Sequence, residues 1–455
     1  MPPITALLLG ACFAYYSIRS DRKRGYSPTE DLFWPSLWYI VVASRPVGVW
    51  LQIWGVPLLG GSDESDGSPI DRFFYAGLMV IGLRILARRH FNWSELFRRN
   101  PLLVAFFVYI AASIVWSNYP YISFKRYIKV LAAATMAWVV LSNTDPLDAI
   151  LTVLRRCLYI HLPMSIVCIR YYRQLGISFD WDGNSVSWQG ISTSKNTLGQ
   201  IAMLGVLYFA WEVWRNWKRS KWNNLHVIYL LMSLYLIKGS DDALSLTALA
   251  VCVLAVVIFF RLQSLRSRIP SARNFVVLTS VGTTALILLI LMHGIVNFSE
   301  SSLFGHIITT FGRDITLTDR TYIWRDVYAA ASSNPLLGVG YGGFWIGRQA
   351  NIPWNETMTW VLGQAHSGYV DTYLQLGIIG WGFLALVLMS SLRNSLASIT
   401  ANFDLSCLRI TLLITMAFVN ITESTFLRGD HHLWFIMQLV IWQVPIPPRA
   451  EVNAY

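Results

Sequence analysis

Charge is what this chain has least of. Only 13% of its 455 residues are Asp, Glu, Lys or Arg, against about a quarter in a soluble globular protein. That scarcity excludes a soluble multidomain enzyme and a disordered chain. Cysteine is scarce as well. The five are Cys12, Cys157, Cys168, Cys252 and Cys407. All lie in apolar stretches with no CxxC pair, which excludes a disulfide scaffold and a zinc site, and they read as small core residues. The eight histidines, at 90, 161, 226, 293, 306, 366, 431 and 432, do not cluster at metal spacing. The first apolar segment lacks the basic start and small-residue cleavage site of a signal peptide, so it reads as a span.

What the chain has instead is hydrophobicity. Apolar residues make up 55%, the mean hydropathy is +0.46, and the apolar runs are about twenty residues long, the length that crosses a bilayer. The expected fold is therefore all-α, a polytopic helical membrane protein. Spans are expected at 3–18, 32–59, 73–87, 101–117, 124–142, 150–170, 197–214, 225–238, 243–260, 275–293, 367–390, 406–422 and 431–446, twelve to fourteen in all by the roughly twenty-residue criterion. The second is interrupted at Ser44-Arg45-Pro46 and should kink or re-enter.

The net charge of +11 would suggest nucleic acid in a soluble protein. Here it reflects loops. Arg19/Arg22/Lys23/Arg24, Arg88/Arg89/Arg98/Arg99, Arg215/Lys218/Arg219/Lys221 and Arg261/Arg266/Arg268/Arg273 all fall on one side if the segments alternate. The positive-inside rule makes that side the cytoplasm. The acidic run Asp63-Glu64-Ser65-Asp66 falls opposite.

One connection is out of scale. Residues 294–366 form a long loop on the outer face, between a bundle at 1–293 and the last helices at 367–455. Loops of that length are usually functional. Within it, 319–332 has apolar residues at helical spacing, with Asp319 as a candidate cap. A turn-rich stretch, Gly338-Val339-Gly340-Tyr341-Gly342-Gly343, follows. Its glycines superficially match a nucleotide loop, but no strand precedes them. Asp180-Trp181-Asp182 resembles a metal-binding DxD, yet lies on the face where nucleotide sugars are absent. Asp241-Asp242 reads as a helix cap.

The loop ends at His366, at the mouth of a span. Histidine is the side chain best poised to accept a proton near neutral pH. Around it the loop carries Arg313, Arg320, Arg325 and Arg348, on the side where basic residues are disfavoured. The other outer loops add Arg170, Arg173, Lys195 and Arg428. Guanidinium groups bind phosphate oxygens bidentately, so the cluster suggests an anionic ligand.

Six stretches carry a resemblance: 116–123; Ser194-Lys195-Asn196-Thr197-Leu198-Gly199; Asp319-Arg320-Thr321-Tyr322-Ile323-Trp324; Asn334-Pro335 through Gly342; His366-Ser367 with Gly377; and Asn420-Ile421-Thr422-Glu423-Ser424. Their order, with the long outer loop between two spans, resembles the O-antigen ligase and polysaccharide polymerase superfamily of membrane glycosyltransferases. The resemblance implies a multi-pass protein of the bacterial inner membrane whose active site faces the periplasm. Its donor would be a glycan on undecaprenyl diphosphate. Its acceptor would be a glycan or a lipid A–core hydroxyl. It would need no cofactor and no metal, and a flippase and a chain-length regulator would be its expected partners.

By that resemblance His366 would be the general base and Arg320 would stabilise the departing diphosphate. Arg325, Arg348, Lys195, Asn196, Tyr341, Asp371 and Glu423 are the further candidates for binding substrate, with Asp371 a candidate to orient His366. Family ligases commonly carry an arginine in a Ser-Arg-small-Ala stretch. Here the corresponding residues run from Lys238 to Ser245 without one, and Gly340 to Trp345 looks more like the exopolysaccharide polymerases. A polymerase is therefore the first expectation and a ligase the second. A flippase or transporter is the alternative from another class, disfavoured by the absence of an evident internal repeat.

Overall fold

Proline sets where the helices begin. Pro69, Pro101, Pro120 and Pro146 each occupy a first helical turn, where the missing N–H costs nothing. Two of these starts are also capped: Ser68 Oγ accepts from the Asp71 amide and Asp145 Oδ1 from the Asp148 amide. The computed structural model describes residues 1–23, 30–56, 68–179, 186–218, 224–240, 245, 248–250, 253, 320–346, 363–399 and 401–445.

Over those residues the helices are α1 (Pro3–Lys23), α2 (Phe33–Ala43), α3 (Val47–Ile53), α4 (Pro69–Arg88), α5 (Trp93–Arg99), α6 (Pro101–Ser113), α7 (Pro120–Leu141), α8 (Pro146–Tyr171), α9 (Arg173–Gly176), α10 (Lys195–Lys218), α11 (Asn224–Gly239), α12 (Arg320–Ala331), α13 (Gly368–Ala397), α14 (Phe403–Val419) and α15 (His432–Ile441). A single small hairpin, β1 (Ile177–Phe179) against β2 (Val186–Trp188), is antiparallel with Ser178 opposite Ser187. The chain is all-α and polytopic, as expected. The expected span 275–293, most of 243–260, the basic run 261–273, the acidic run 63–66, Asp180 to Asp182, Asp241-Asp242, Arg313, Asp319 and Arg348 lie outside the described residues.

By length and apolarity alone, α8 and α13 suffice to cross a membrane, and α5 with α6 adds a third if that pair, bent by 97°, is one span. The other described helices are shorter or more polar. The break expected at Ser44 to Pro46 separates α2 from α3. The loop helix expected over 319–332 is α12.

Burial follows a bilayer pattern. Large apolar side chains such as Ile4, Leu8, Val80, Val108 and Met389 are exposed, while many serines, threonines and histidines are buried, because only lipid makes outward apolar faces favourable. Of the cysteines expected in the core, Cys157 and Cys168 are buried but Cys12 is exposed, on the outward apolar face of α1.

Two ends of the bundle differ in chemistry. At one, Arg89 binds Asp31 at 2.7 Å and the Val139 carbonyl at 2.9 Å. At the same end Asn100 binds the Gln443 backbone and Arg409 the Trp442 carbonyl. At the other end, α13 is broken at Gly377 (φ 64°). The loop after α12 fills the break: Val339 and Gly340 amides donate to the Leu374 and Gln375 carbonyls, and the Ile378 amide donates to the Pro335 carbonyl. This docking is what the glycine-rich stretch serves. Gly340 has φ 94°, and a Cβ there would meet the Ser117 backbone at 2.5 Å.

A buried ion pair locks the bundle interior. Arg155 of α8 contacts Asp21 of α1 and donates to Tyr208 Oη at 3.0 Å, while Tyr159 Oη donates to Asp21 at 3.2 Å. Arg155→Leu takes the buried cation from the Asp21 carboxylate and should cost about 3–5 kcal/mol, read as a lower melting temperature in detergent. Adding Asp21→Leu should return much of the loss, since replacing both charges is far milder than removing one.

Candidate functional site

His366 sits where the backbone is strained. Its φ of 51° lies in the left-handed region that a non-glycine residue rarely adopts. Such strain persists only when the surroundings over-determine it, and it concentrates at functional sites. Here every neighbour is tied. The Ala365 amide donates to Asp371 Oδ2 at 3.1 Å and the Ala365 carbonyl accepts from Trp324 Nε1 at 2.9 Å. On the other side the Ser367 amide donates to Ser424 Oγ at 2.9 Å, and the Gly368 amide to the Asn420 and Glu423 carbonyls. Asp371 also accepts from Trp345 Nε1 at 2.8 Å. Asp371 therefore ties down the backbone turn that carries His366.

Asn420 builds the second wall. Its Oδ1 accepts from the Thr425 and Phe426 amides, and its Nδ2 donates to the Met416 carbonyl and Thr425 Oγ1. That closes the turn after α14, the turn that carries Glu423 and leads to Arg428. The turn leaves no room at Gly368, where a Cβ would lie 2.1 Å from Asn420 Oδ1. Gly368→Ala should therefore push the two turns apart and cut activity at least tenfold, with a clear drop in melting temperature. Wild-type turnover in that variant would count against the tied turn.

Three of the expected residues meet at Glu423. Its Oε1 accepts from Arg320 Nη2 at 3.1 Å and from Asn196 Nδ2 at 2.5 Å. Arg320 opens α12 and Asn196 stands at the second position of α10, which Ser194 caps through the Thr197 amide. The carboxylate thus joins the first described residue of α12 to the first turn of α10. Lys195 opens the same α10 turn. Tyr341 is buried, donating from Oη to the Leu427 carbonyl at 2.6 Å. Arg325 is not gathered with them: its side chain is 70% exposed and pairs with Asp326 at 3.0 Å.

Sequence reasoning missed Gln364 as a site residue and noted Arg428 only by its side of the membrane. Gln364 links Arg428 to His366: Arg428 Nη1 donates to Gln364 Oε1, and Gln364 Nε2 lies 3.3 Å from His366 Nδ1. Arginine has only hydrogens to offer. Gln364 must turn its oxygen to Arg428 and its amide hydrogens to His366, so Nδ1 accepts and the proton of the neutral ring sits on Nε2. Burial, with the positive charges of Arg320 and Arg428 beside it, lowers the His366 pKa to about 4. The imidazole is neutral at physiological pH.

Beyond Gln364 opens a cavity of about 830 Å³. It draws its walls from the starts of α4 and α7, the docked loop, the start of α13 and the 426–430 turn. On the alternation expected from the sequence, all of these would be outer ends. Lys129 pairs with Asp430 across it at 3.1 Å, and that lysine with Arg428 holds the Asp430 carboxyl well below the usual carboxylate range. The available signal was the trio Lys125, Arg126 and Lys129, basic residues at the outer end of a span against the positive-inside rule. Among the described residues, no group of three or more His, Cys, Asp or Glu stands together as a metal site.

Comparison with known proteins gives two matches. Residues 228–385 match the family model described as O-Antigen ligase, a stretch that contains Arg320, Gln364, His366 and Asp371 but not Asn196 or Glu423. Over 306 residues the chain is 26% identical to the exopolysaccharide production protein ExoQ of Rhizobium meliloti (strain 1021). That alignment covers 65% of this chain and 65% of the relative, so the match spans about two thirds of the relative's length. The two matches and the helical membrane fold support the likeness to the O-antigen ligase and polymerase-like superfamily.

Proposed function

We propose that this chain is a membrane glycosyltransferase that moves a glycan from undecaprenyl diphosphate to an acceptor hydroxyl at the periplasmic face of the bacterial inner membrane. The observation that carries this reading is the neutral His366, held on a strained turn between Arg320 and Arg428. It offers a base and cations within one site, which glycosyl transfer from a diphosphate requires. The acceptor O–H bond breaks as its oxygen attacks the anomeric carbon. The proton passes to His366, and the bond from that carbon to the diphosphate oxygen breaks. Arg320 exchanges its partner Glu423 for the leaving diphosphate, whose charge grows in the transition state.

His366 Nδ1 is the atom that takes the proton, with the acceptor hydroxyl displacing the Gln364 amide. A base of pKa about 4 is always free but weak. Binding of the anionic donor beside Arg320 and Arg428 offsets their repulsion and raises that pKa in the complex. The sign follows directly: the unprotonated ring is the active form, so activity falls as pH drops below its pKa. The acid limb of kcat/KM should lie near pH 4, and that of kcat should lie higher. A limb of kcat/KM at the ordinary histidine value of about 6.5 would contradict this environment.

The reading favours polymerisation of repeat units. The name of the relative from Rhizobium meliloti, an exopolysaccharide production protein, supports that choice, as does the Gly340 to Trp345 stretch. Ligation to lipid A–core would use the same donor and the same base. A gel separates them. A purified protein given only the lipid-linked repeat unit should produce a ladder of lengthening products. A single shifted band that appears only with lipid A–core would assign ligation instead.

A further inference from the structure

Among the described residues, three that are not glycine have a positive φ: His90, His366 and Leu427. His90 follows the end of α4, where left-handed backbone is ordinary. The other two have no helix end to account for them, and strain of that kind gathers at functional sites. Side chains join the two. Arg428, next to Leu427, donates from Nη1 to Gln364 Oε1, and Gln364 Nε2 lies against His366 Nδ1.

The turn at Leu427 is held on every side. The Phe426 amide donates to Asn420 Oδ1 at 3.1 Å, and the Leu427 carbonyl accepts from Tyr341 Oη at 2.6 Å. Gly429 is pressed against α7, where a Cβ would lie 2.3 Å from the Lys129 backbone, and Asp430 pairs with the Lys129 ammonium. The Arg428 guanidinium is braced by the Ser424 carbonyl at 3.4 Å, and Ser424 Oγ accepts from the Ser367 amide on the other strained turn. One residue therefore ties both turns.

What this bracing prevents is an amide flip. Turned over, Gln364 would present Oε1 to His366 and its hydrogens to Arg428. The ring proton would then sit on Nδ1, bonded to that oxygen, and the lone pair on this nitrogen would be gone. Arg428 forbids the flip because it has no acceptor to offer the amide hydrogens. We propose that Arg428 is a positioning residue for the base: held in place by the strained turn at Leu427, it locks the Gln364 amide and keeps the His366 lone pair on Nδ1. Its part in turnover rests on His366 being the base, whereas the lock on the ring proton does not.

The test reads the proton and the rate separately. Nitrogen NMR of the full-length, histidine-labelled protein in detergent, with His366→Ala to identify the ring, should show a bare Nδ1 and a protonated Nε2 at neutral pH. Arg428→Gln should populate both forms, since glutamine at that position accepts as well as donates. Gln364→Glu should move the proton to Nδ1, because a carboxylate only accepts there while still pairing with Arg428. In the transfer assay Arg428→Gln should lower kcat roughly tenfold and Arg428→Lys should recover most of it. Gln364→Glu should cost about a hundredfold or more, the mark of a wrong tautomer, and more than Gln364→Ala. Packing alone predicts the reverse order, since glutamate keeps the shape and the bond to Arg428.

The pH profile supplies a second sign. The charges that act on the ring are Arg320 of α12 and Arg428 of this turn, while Asp371 and Glu423 are engaged by Trp345 and by Arg320 with Asn196. Arg428→Gln removes one of the two positive charges that depress the ring, so the acid limb of kcat/KM should move up from about pH 4, and Arg428→Lys should leave it in place. An unchanged ring proton in both Arg428→Gln and Gln364→Glu, or Gln364→Glu more active than Gln364→Ala, would overturn the proposal. So would an Arg428→Lys variant that folds yet is no more active than Arg428→Gln. The expected proton shifts together with full transfer by His366→Ala would instead leave the lock standing and remove the base reading.

Discussion

His366→Ala should lower glycan transfer by about a hundredfold to ten-thousandfold while the protein still inserts and melts near the wild-type temperature. The side chain makes one long hydrogen bond, to Gln364 at 3.3 Å, so its removal leaves the turn intact. The turn is held by Asp371, Trp324, Ser424 and Asn420 through backbone groups of residues 365, 367 and 368. Alanine also relaxes nothing at φ 51°, since both residues carry a Cβ. Loss of activity with loss of folding would point to a structural histidine. Loss of activity in a folded protein assigns the base, and full activity would end the proposal.

Arg320→Ala should cost about a hundredfold to a thousandfold in kcat, the usual effect of removing one preorganised partner of transition-state charge. Arg320→Lys should recover only part of it. Lysine keeps the charge but lacks the planar fork that grips a phosphate with two parallel bonds. Because Arg320 also binds the buried Glu423, Arg320→Ala takes a cation from that carboxylate, and some stability is lost. Adding Glu423→Gln should recover the stability without recovering the rate. If the second change recovers both, Arg320 acts only by holding Glu423.

The parts of this molecule that depend on local sequence were legible. Apolar runs and the break at Ser44 to Pro46 pointed to the helices. The Asp319-Arg320, Ser194 to Gly199 and Asn420 to Ser424 stretches pointed at residues that the fold does bring together, Arg320, Asn196 and Glu423. What stayed hidden depends on contacts between distant segments. Arg155 and Asp21 are 134 positions apart (155 − 21). Gln364 reads as an ordinary loop amide until Arg428 is packed against it. The break at Gly377 has no signal beyond one glycine among several, because it forms only where the preceding loop supplies the missing hydrogen-bond partners. Arg325 is the converse case: its charge and expected side of the membrane singled it out, but the helix turns it outward.

Quantifying free undecaprenyl diphosphate released by the purified, membrane-reconstituted protein from a lipid-linked repeat unit tests the central claim most directly. Glycosyl transfer predicts one molecule of lipid diphosphate for each glycosidic bond formed, and none from His366→Ala. Lipid-linked units that cross the bilayer intact, with no lipid diphosphate released, would contradict it and identify a transporter.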